Sequence, residues 1–114
     1  MMSENRGTTI GLTDESKSTV EDVMPYFNQQ LHASRFAMAL AIEKGIEPGS
    51  TKNASTVWNV GSFDPDGEYR DLIKALYPEV DRPYKAMEYF VNEGFKIIAE
   101  HIDEQKEFDP EKLM

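Results

Sequence analysis

The chain is 114 residues long, with 39% hydrophobic and 29% charged residues, which predicts a single globular domain. It contains no cysteine, which excludes disulfides, thiolate metal sites and cysteine nucleophiles. No apolar run approaches the roughly 20 residues of a membrane span, and the N-terminus lacks the pattern of a secretion signal. We therefore expect a cytoplasmic protein.

The charge balance is strongly acidic. The 21 Asp and Glu residues outnumber the 12 Lys and Arg residues, which gives a formal net charge of −9. Binding to a nucleic-acid duplex depends on Lys and Arg side chains that displace counterions from phosphates, so direct nucleic-acid binding is not expected. A basic protein partner suits this charge better, although acidic residues also serve solubility alone.

The N-terminal part of the chain begins with little apolar content. Residues 1–17 are polar and lack periodicity, which predicts a flexible N-terminal arm. The sequence STVE at residues 18–21 has the form of a capping box and predicts that a helix starts there. Pro25 limits this helix to one or two turns. We expect it to bury Val20, Val23 and Met24.

The most apolar segment follows at residues 28–45. Its FAMALAI sequence is apolar on nearly every face, which predicts a central, well-buried helix. Gly45 with Ile46 behind it predicts a Schellman ending, and Pro48 prevents the helix from resuming.

A short extended segment is predicted at residues 56–60, where the sequence is TVWNV. Five residues cannot form a sheet alone, so the segment either covers the core or pairs at its edge with a second copy. Trp58 and Phe63 are aromatic residues of the kind found at interfaces, and we expect both to plug the core, with Phe63 anchoring the extended segment.

Two more helices are predicted before a charged tail at residues 103–114. The sequence EYRDLIKALY predicts a short helix that ends at Pro78. Its expected buried residues are Tyr69, Leu72, Ile73 and Leu76. The last helix is expected from Asp81 or Pro83 to Ile102, because its apolar residues recur every three or four positions. The predicted fold is mainly α: a compact bundle of about four helices forming one domain over residues 18–102.

The segment SFDPDGEYR at residues 62–70 resembles part of a calcium loop. With Gly67 at the sixth position of such a loop, the required bidentate glutamate at the twelfth is replaced by Ile73. The segment therefore predicts a turn from Asp64 to Gly67 that leads into the helix, with Asp64 as its cap, rather than a metal site. No other pattern in the sequence indicates a metal or a cofactor.

Three isolated residues could carry chemistry. Arg35 could pair with a carboxylate such as Glu88 or Asp71, or it could bind an acidic group of a partner. His32 and His101 lack the spacing of zinc ligands, so we expect solvated or helix-capping roles for both.

Gly94 lies on the apolar stripe of the last helix. Glycine inside a helix costs roughly 1 kcal/mol relative to alanine, so its presence needs a reason. We expect another helix to approach closely there, either the FAMALAI helix or its copy in a partner.

Three segments in a fixed order carry a resemblance to a known family: RFAMALAIEKG (residues 35–45), GSFDPDGEYRDLIKAL (61–76) and YFVNEGFKIIAEHI (89–102). Together they resemble the small proteins associated with bacterial Dnd systems, which link DNA phosphorothioation to restriction of foreign DNA. The matching positions are Phe36, Ala37, Ala39, Leu40, Gly45, Ser62, Phe63, Leu72, Ile73, Phe90, Asn92, Gly94, Ile97 and Ile98. The resemblance implies an accessory protein of a defence system and supplies no catalytic residue.

The expected function is thus that of a non-enzymatic accessory or interaction protein, with a protein partner, and a homodimer is one form that such a contact can take. The interaction candidates are Arg35, Trp58, Phe63, Asn92 and Gly94. One alternative is an acidic inhibitor that mimics DNA and blocks a nuclease. The other is a DNA-binding regulator of the ribbon-helix-helix type, in which residues 56–60 pair across a dimer.

Overall fold

The structure is a computed structural model that describes residues 9–113. In chain order its elements are β1 (Thr9–Leu12), α1 (Asp14–Val23), a 3-10 turn (Met24–Tyr26), α2 (Gln30–Glu43), β2 (Ser55–Asn59), α3 (Val60–Phe63), α4 (Glu68–Leu76), α5 (Pro83–Gln105) and α6 (Pro110–Leu113). Within residues 9–113, four helices have nine or more residues, and there is one two-stranded sheet. The predicted mainly α fold with about four helices is confirmed. None of the helices within residues 9–113 is long and apolar enough to cross a membrane.

The core forms where α2 packs along α5, which is the most extensive contact between elements. Met87, Val91, Phe95 and Ile98 on α5 are buried, as the periodic stripe predicts, and Phe90 is buried as well. On α2, Ala37, Met38, Leu40 and Ala41 are buried, which confirms the central position of the FAMALAI helix. α1 and α4 pack against other parts of α5.

The end of α2 follows the predicted Schellman geometry. Gly45 has a φ of 81°, in the left-handed region that favours glycine. The Gly45 amide donates to the Ile42 carbonyl and the Ile46 amide donates to the Ala41 carbonyl, both at 3.1 Å. These are the two hydrogen bonds that define this motif, so the helix ends where the sequence predicts.

The sheet corrects the account of residues 56–60. β2 pairs in antiparallel register with β1 of the same chain, with Ile10 opposite Trp58 and Gly11 opposite Thr56. Val57 has no partner at this register shift and forms a bulge. β2 is therefore not an unpaired segment lying over the core, and its pairing does not require a second copy of the chain. A ribbon-helix-helix protein would pair this strand across a dimer, whereas here it pairs within the chain.

The N-terminal boundary at residue 17 is wrong. Ile10 and Leu12 on β1 are fully buried, and α1 begins at Asp14 with Thr13 as its cap. The Thr13 hydroxyl accepts a hydrogen bond from the Ser16 amide at 3.1 Å, so the predicted capping box at residues 18–21 lies inside the helix instead. Val20 and Val23 are buried as expected, Met24 only partly, and the helix ends before Pro25. Residues 1–8 of the predicted arm lie outside the described residues.

The C-terminal boundary at residue 103 is also wrong. α5 continues to Gln105, and the following residues fold back onto the helical core. Phe108 and Leu113 are 5% and 6% exposed. Two widely spaced apolar residues in a charged sequence carry no periodic signal, so burial of this segment could not be predicted from its pattern.

Candidate interaction surface

The turn at residues 64–67 has the predicted structural role. The Gly67 amide donates to the Asp64 carbonyl at 3.1 Å, which closes the expected turn. The buried Asp64 carboxylate accepts hydrogen bonds from the Tyr69 amide at 3.1 Å and the Arg70 amide at 3.0 Å, so it serves the first turn of α4. Gly67 and not Asp64 is the N-cap residue, because α4 begins at Glu68, three residues later than the predicted start at Pro65. Among residues 9–113 no group of three or more His, Asp or Glu side chains is arranged to hold a metal.

Tyr84 from the start of α5 also binds Asp64. Its hydroxyl donates to the second oxygen of Asp64 at 3.3 Å and thereby ties α4 to α5. Burial, and after it the nearby Asp64 carboxylate, raises the pKa of the Tyr84 hydroxyl, while the Arg70 guanidinium acts in the opposite direction.

Arg35 is held by aromatic rings and a carbonyl, not by a carboxylate. Its guanidinium lies 5.8 Å from the ring centroid of Phe63 and 5.5 Å from that of Tyr69. Its Nη2 donates to the Phe63 carbonyl at 2.8 Å. The predicted pairing with Glu88 or Asp71 is wrong, because Glu88 binds β1 and Asp71 pairs with Arg70.

Phe63 and Trp58 meet beside Arg35. Phe63 is fully buried, and its ring centroid lies 5.6 Å from that of the partly buried Trp58. Phe63 therefore anchors β2 to the core, as predicted. Three interaction candidates, Arg35, Trp58 and Phe63, come together here, but the largest part of their contact surface is already used within the chain.

Asn92 performs a structural role that the sequence did not reveal. Its side-chain oxygen accepts from the Thr13 amide at 3.0 Å, and its side-chain nitrogen donates to the Gly11 carbonyl at 3.0 Å. One turn earlier on α5, Glu88 accepts from the Gly11 amide at 2.8 Å. These two side chains thus provide hydrogen-bond partners for the backbone groups of Gly11 and Thr13. The sequence signal for this role was a pair of polar residues, Glu88 and Asn92, four positions apart on the apolar stripe of the last helix.

Gly94 lies at the closest approach of α5 to α2. A Cβ atom added at this position would meet the carbonyl oxygen, carbonyl carbon and Cα of Ala37, the oxygen at 1.9 Å. The predicted close approach of the FAMALAI helix is therefore confirmed, and it occurs within one chain. Asn92 and Gly94 are both buried, so neither presents a side chain to a partner.

The two histidines differ in environment. His32 is exposed, as expected. His101 is only 8% exposed, and its Nε2 accepts a hydrogen bond from the Asp109 amide at 3.1 Å. The expectation of a solvated or helix-capping role is wrong for His101, because the chain after α5 folds back over it.

One flank of α4 is the most prominent apolar surface that the described chain leaves uncovered. Leu72 and Leu76 are 43% and 48% exposed, whereas Ile73 is fully buried. The prediction that Tyr69, Leu72, Ile73 and Leu76 all face the core is wrong for the two leucines. At 100° per residue they lie together on one side of the helix, next to Ala75 and Glu68, while Arg70 and Lys74 lie on the other. We call Leu72, Leu76 and Ala75 the α4 flank.

Comparisons with known proteins give no assignment. No protein family, no curated protein and no solved structure matches this chain.

Proposed function

We propose that the protein is a non-enzymatic accessory protein that acts by binding another protein through the α4 flank. The observation that carries the proposal is the exposure of Leu72 and Leu76, at 43% and 48%, on a helix whose Ile73 is fully buried and whose Tyr69 is partly buried. Leucines one helical turn apart form the kind of anchor that a partner's apolar groove accepts.

The charge around the α4 flank specifies the chemistry of the partner. Glu68 borders the leucines on the same helix, and Glu79 follows shortly after it; both are exposed. The whole chain carries a net charge of −9, so two copies repel each other at long range. The partner that fits is a different protein with an apolar groove rimmed by Lys and Arg, and the charges would speed its association.

The resemblance to Dnd-associated proteins supplies the proposed context. We infer that the partner belongs to a DNA phosphorothioation or restriction system of a prokaryote and that the two proteins meet in the cytoplasm. Part of that resemblance, Leu72 with Ile73, falls on α4 itself. The other matching positions lie mainly in the α2–α5 core, so they concern the fold of such a protein.

The test uses purified proteins of a phosphorothioation system from the same genome. The chain is mixed with each of them, and complexes are detected by analytical ultracentrifugation. The variant Leu72→Ser with Leu76→Ser should lose the complex and keep the helical circular dichroism of the wild type. The control replaces Lys74 by Ser on the opposite side of the same helix and should bind as the wild type does.

Two outcomes would contradict the proposal. If the chain alone sediments as a dimer that the leucine variant dissociates, the flank binds a second copy instead. If the leucine variant binds unchanged and the complex dissociates only with added salt, carboxylates form the contact. The second outcome is expected of the alternative, an acidic inhibitor that mimics DNA.

A further inference from the structure

The chain after α5 forms a segment that closes over the aromatic end of the core. Lys106 has a φ of 65°, which turns the backbone sharply away from the axis of α5. Residues 107–113 then run back along the protein, and Phe108 and Leu113 are 5% and 6% exposed. We call residues 107–113 the C-terminal latch.

Phe108 occupies a pocket of rings contributed by three other elements. Its ring centroid lies 4.9 Å from Tyr26, 6.1 Å from Phe27, 6.2 Å from Phe36 and 6.4 Å from His101. Aromatic contacts of this kind favour the closed latch without setting the position of its backbone.

The position of the latch backbone is set by His101. The Asp109 amide donates to His101 Nε2 at 3.1 Å, and among the described residues this is the one hydrogen bond that joins the latch backbone to α5. The accepting nitrogen must carry a lone pair, so the closed latch requires a neutral imidazole with its proton on Nδ1.

A proton on Nε2 is incompatible with this geometry. The imidazolium donates from both nitrogens, so its N–H would face the Asp109 N–H. The titratable residues that flank these contacts along the chain are Glu100, Asp103 and Glu104 on α5, Glu107, Asp109, Glu111 and Lys112 on the latch, Tyr26 on the 3-10 turn, and His32 and Arg35 on α2. None of them can restore the lone pair that the Asp109 amide needs once Nε2 carries a proton. Uptake of the proton therefore competes directly with closure.

We propose that His101 and the C-terminal latch form an acid-sensitive conformational switch. The latch is closed over the aromatic pocket while His101 is neutral, and it opens when Nε2 binds a proton. Histidine is the side chain whose ordinary charge change lies nearest to neutral pH, so His101 is the group of this region that acid can address. Opening exposes more of the partly buried Phe27 and Phe36 rings.

The proposal is tested by nuclear magnetic resonance at about pH 5 and about pH 7.5. In the wild type, the heteronuclear NOE of residues 107–113 should fall at the lower pH. Exchange of the Asp109 amide, corrected for its intrinsic pH dependence, should accelerate about tenfold, which corresponds to the loss of one hydrogen bond.

Three variants separate the role of His101 from general acid effects. His101→Gln keeps an acceptor near the position of Nε2 but cannot titrate, so its latch should stay closed at both pH values. His101→Phe keeps the ring without an acceptor and should leave the latch loosened at both. His32→Gln removes the exposed histidine and should switch as the wild type does.

The inference is overturned if the wild-type NOE is the same at both pH values. It is equally overturned if His101→Gln switches as the wild type does. Should His101→Phe fail to fold, these two comparisons still decide the question.

Discussion

At the scale of single residues, Asn92 determines whether β1 stays attached to α5. Its side chain is 1% exposed and hydrogen-bonds to Gly11 and Thr13 at the two ends of the β1–α1 junction. Buried backbone groups that lose their partner cost more than the hydrogen bond itself contributes.

Asn92→Ala should therefore lower the free energy of unfolding by about 2 to 3 kcal/mol, since it leaves the buried Gly11 carbonyl and the partly buried Thr13 amide without partners. Urea denaturation measures the loss, and faster hydrogen exchange of the Thr13 amide locates it. Asn28→Ala is the matched control because Asn28 is exposed, and it should change stability by less than about 0.5 kcal/mol. Equal stability of both variants would contradict the role of Asn92.

Because of Tyr84, the free energy of unfolding should decrease at alkaline pH. Its pKa is raised in the folded protein, first by burial and then by the Asp64 carboxylate. A raised pKa favours the protonated hydroxyl in the folded state, so the stabilisation is complete below the ordinary tyrosine pKa of about 10 and is lost as the pH rises through the folded value.

Tyr84→Phe should lower the free energy of unfolding by about 1 kcal/mol at neutral pH, through loss of the hydrogen bond to Asp64. Above about pH 10 the difference between the wild type and this variant should shrink. Denaturation series at neutral and alkaline pH measure both effects. Tyr26→Phe is the control, because Tyr26 is 55% exposed. A stability difference between the wild type and Tyr84→Phe that grows with pH would contradict the role of the Tyr84 hydroxyl.

At the scale of elements, the contact of α2 with α5 depends on Gly94. Ala37 presents its backbone, not a side chain, to this position, so no rotamer change can make room for a Cβ atom. The two helices must separate to admit even a methyl group.

Gly94→Ala should cost about 3 kcal/mol of stability, despite the gain of roughly 1 kcal/mol in helix propensity. Thermal and urea unfolding measure the change. Gly61→Ala tests the same chemical change in the exposed helix α3, where the added Cβ meets only the Asn59 side chain at 3.3 Å, and it should alter stability by less than about 1 kcal/mol. A stability of Gly94→Ala equal to that of Gly61→Ala would show that α2 shifts without cost.

Elements formed by interactions between residues close in sequence could be predicted, and elements that depend on residues far apart in sequence could not. The FAMALAI helix, its end at Gly45 and the approach at Gly94 depend on local pattern and backbone geometry, and the sequence predicts all three. β1 depends on Glu88 and Asn92, whose hydrogen bonds to residues 11 and 13 span 77 to 81 positions. No local pattern in the N-terminal sequence encodes those partners.

The candidate surface was missed for a related reason. The pattern of α4 predicts an apolar face, and periodicity alone cannot tell how much of that face other elements cover. Ile73 is covered, but Leu72 and Leu76 are not. The residues singled out from the sequence as interaction candidates are instead used within the fold, most clearly Phe63, Asn92 and Gly94.

At the scale of the whole molecule, the protein combines an acidic surface with one exposed pair of leucines. A net charge of −9 discourages self-association, and the α4 flank offers the apolar contact that a basic partner can cover. Covering the exposed halves of two leucines contributes about 2 kcal/mol to binding, or roughly a thirtyfold change in Kd.

The most direct measurement is a calorimetric titration of the chain with each purified protein of a phosphorothioation system from the same genome, in the wild type and in the Leu72→Ser, Leu76→Ser variant. The account predicts that the variant weakens Kd about thirtyfold and that the Lys74→Ser control leaves it within about twofold. Equal affinity of the wild type and the leucine variant, or no binding to any protein of such a system, would contradict it.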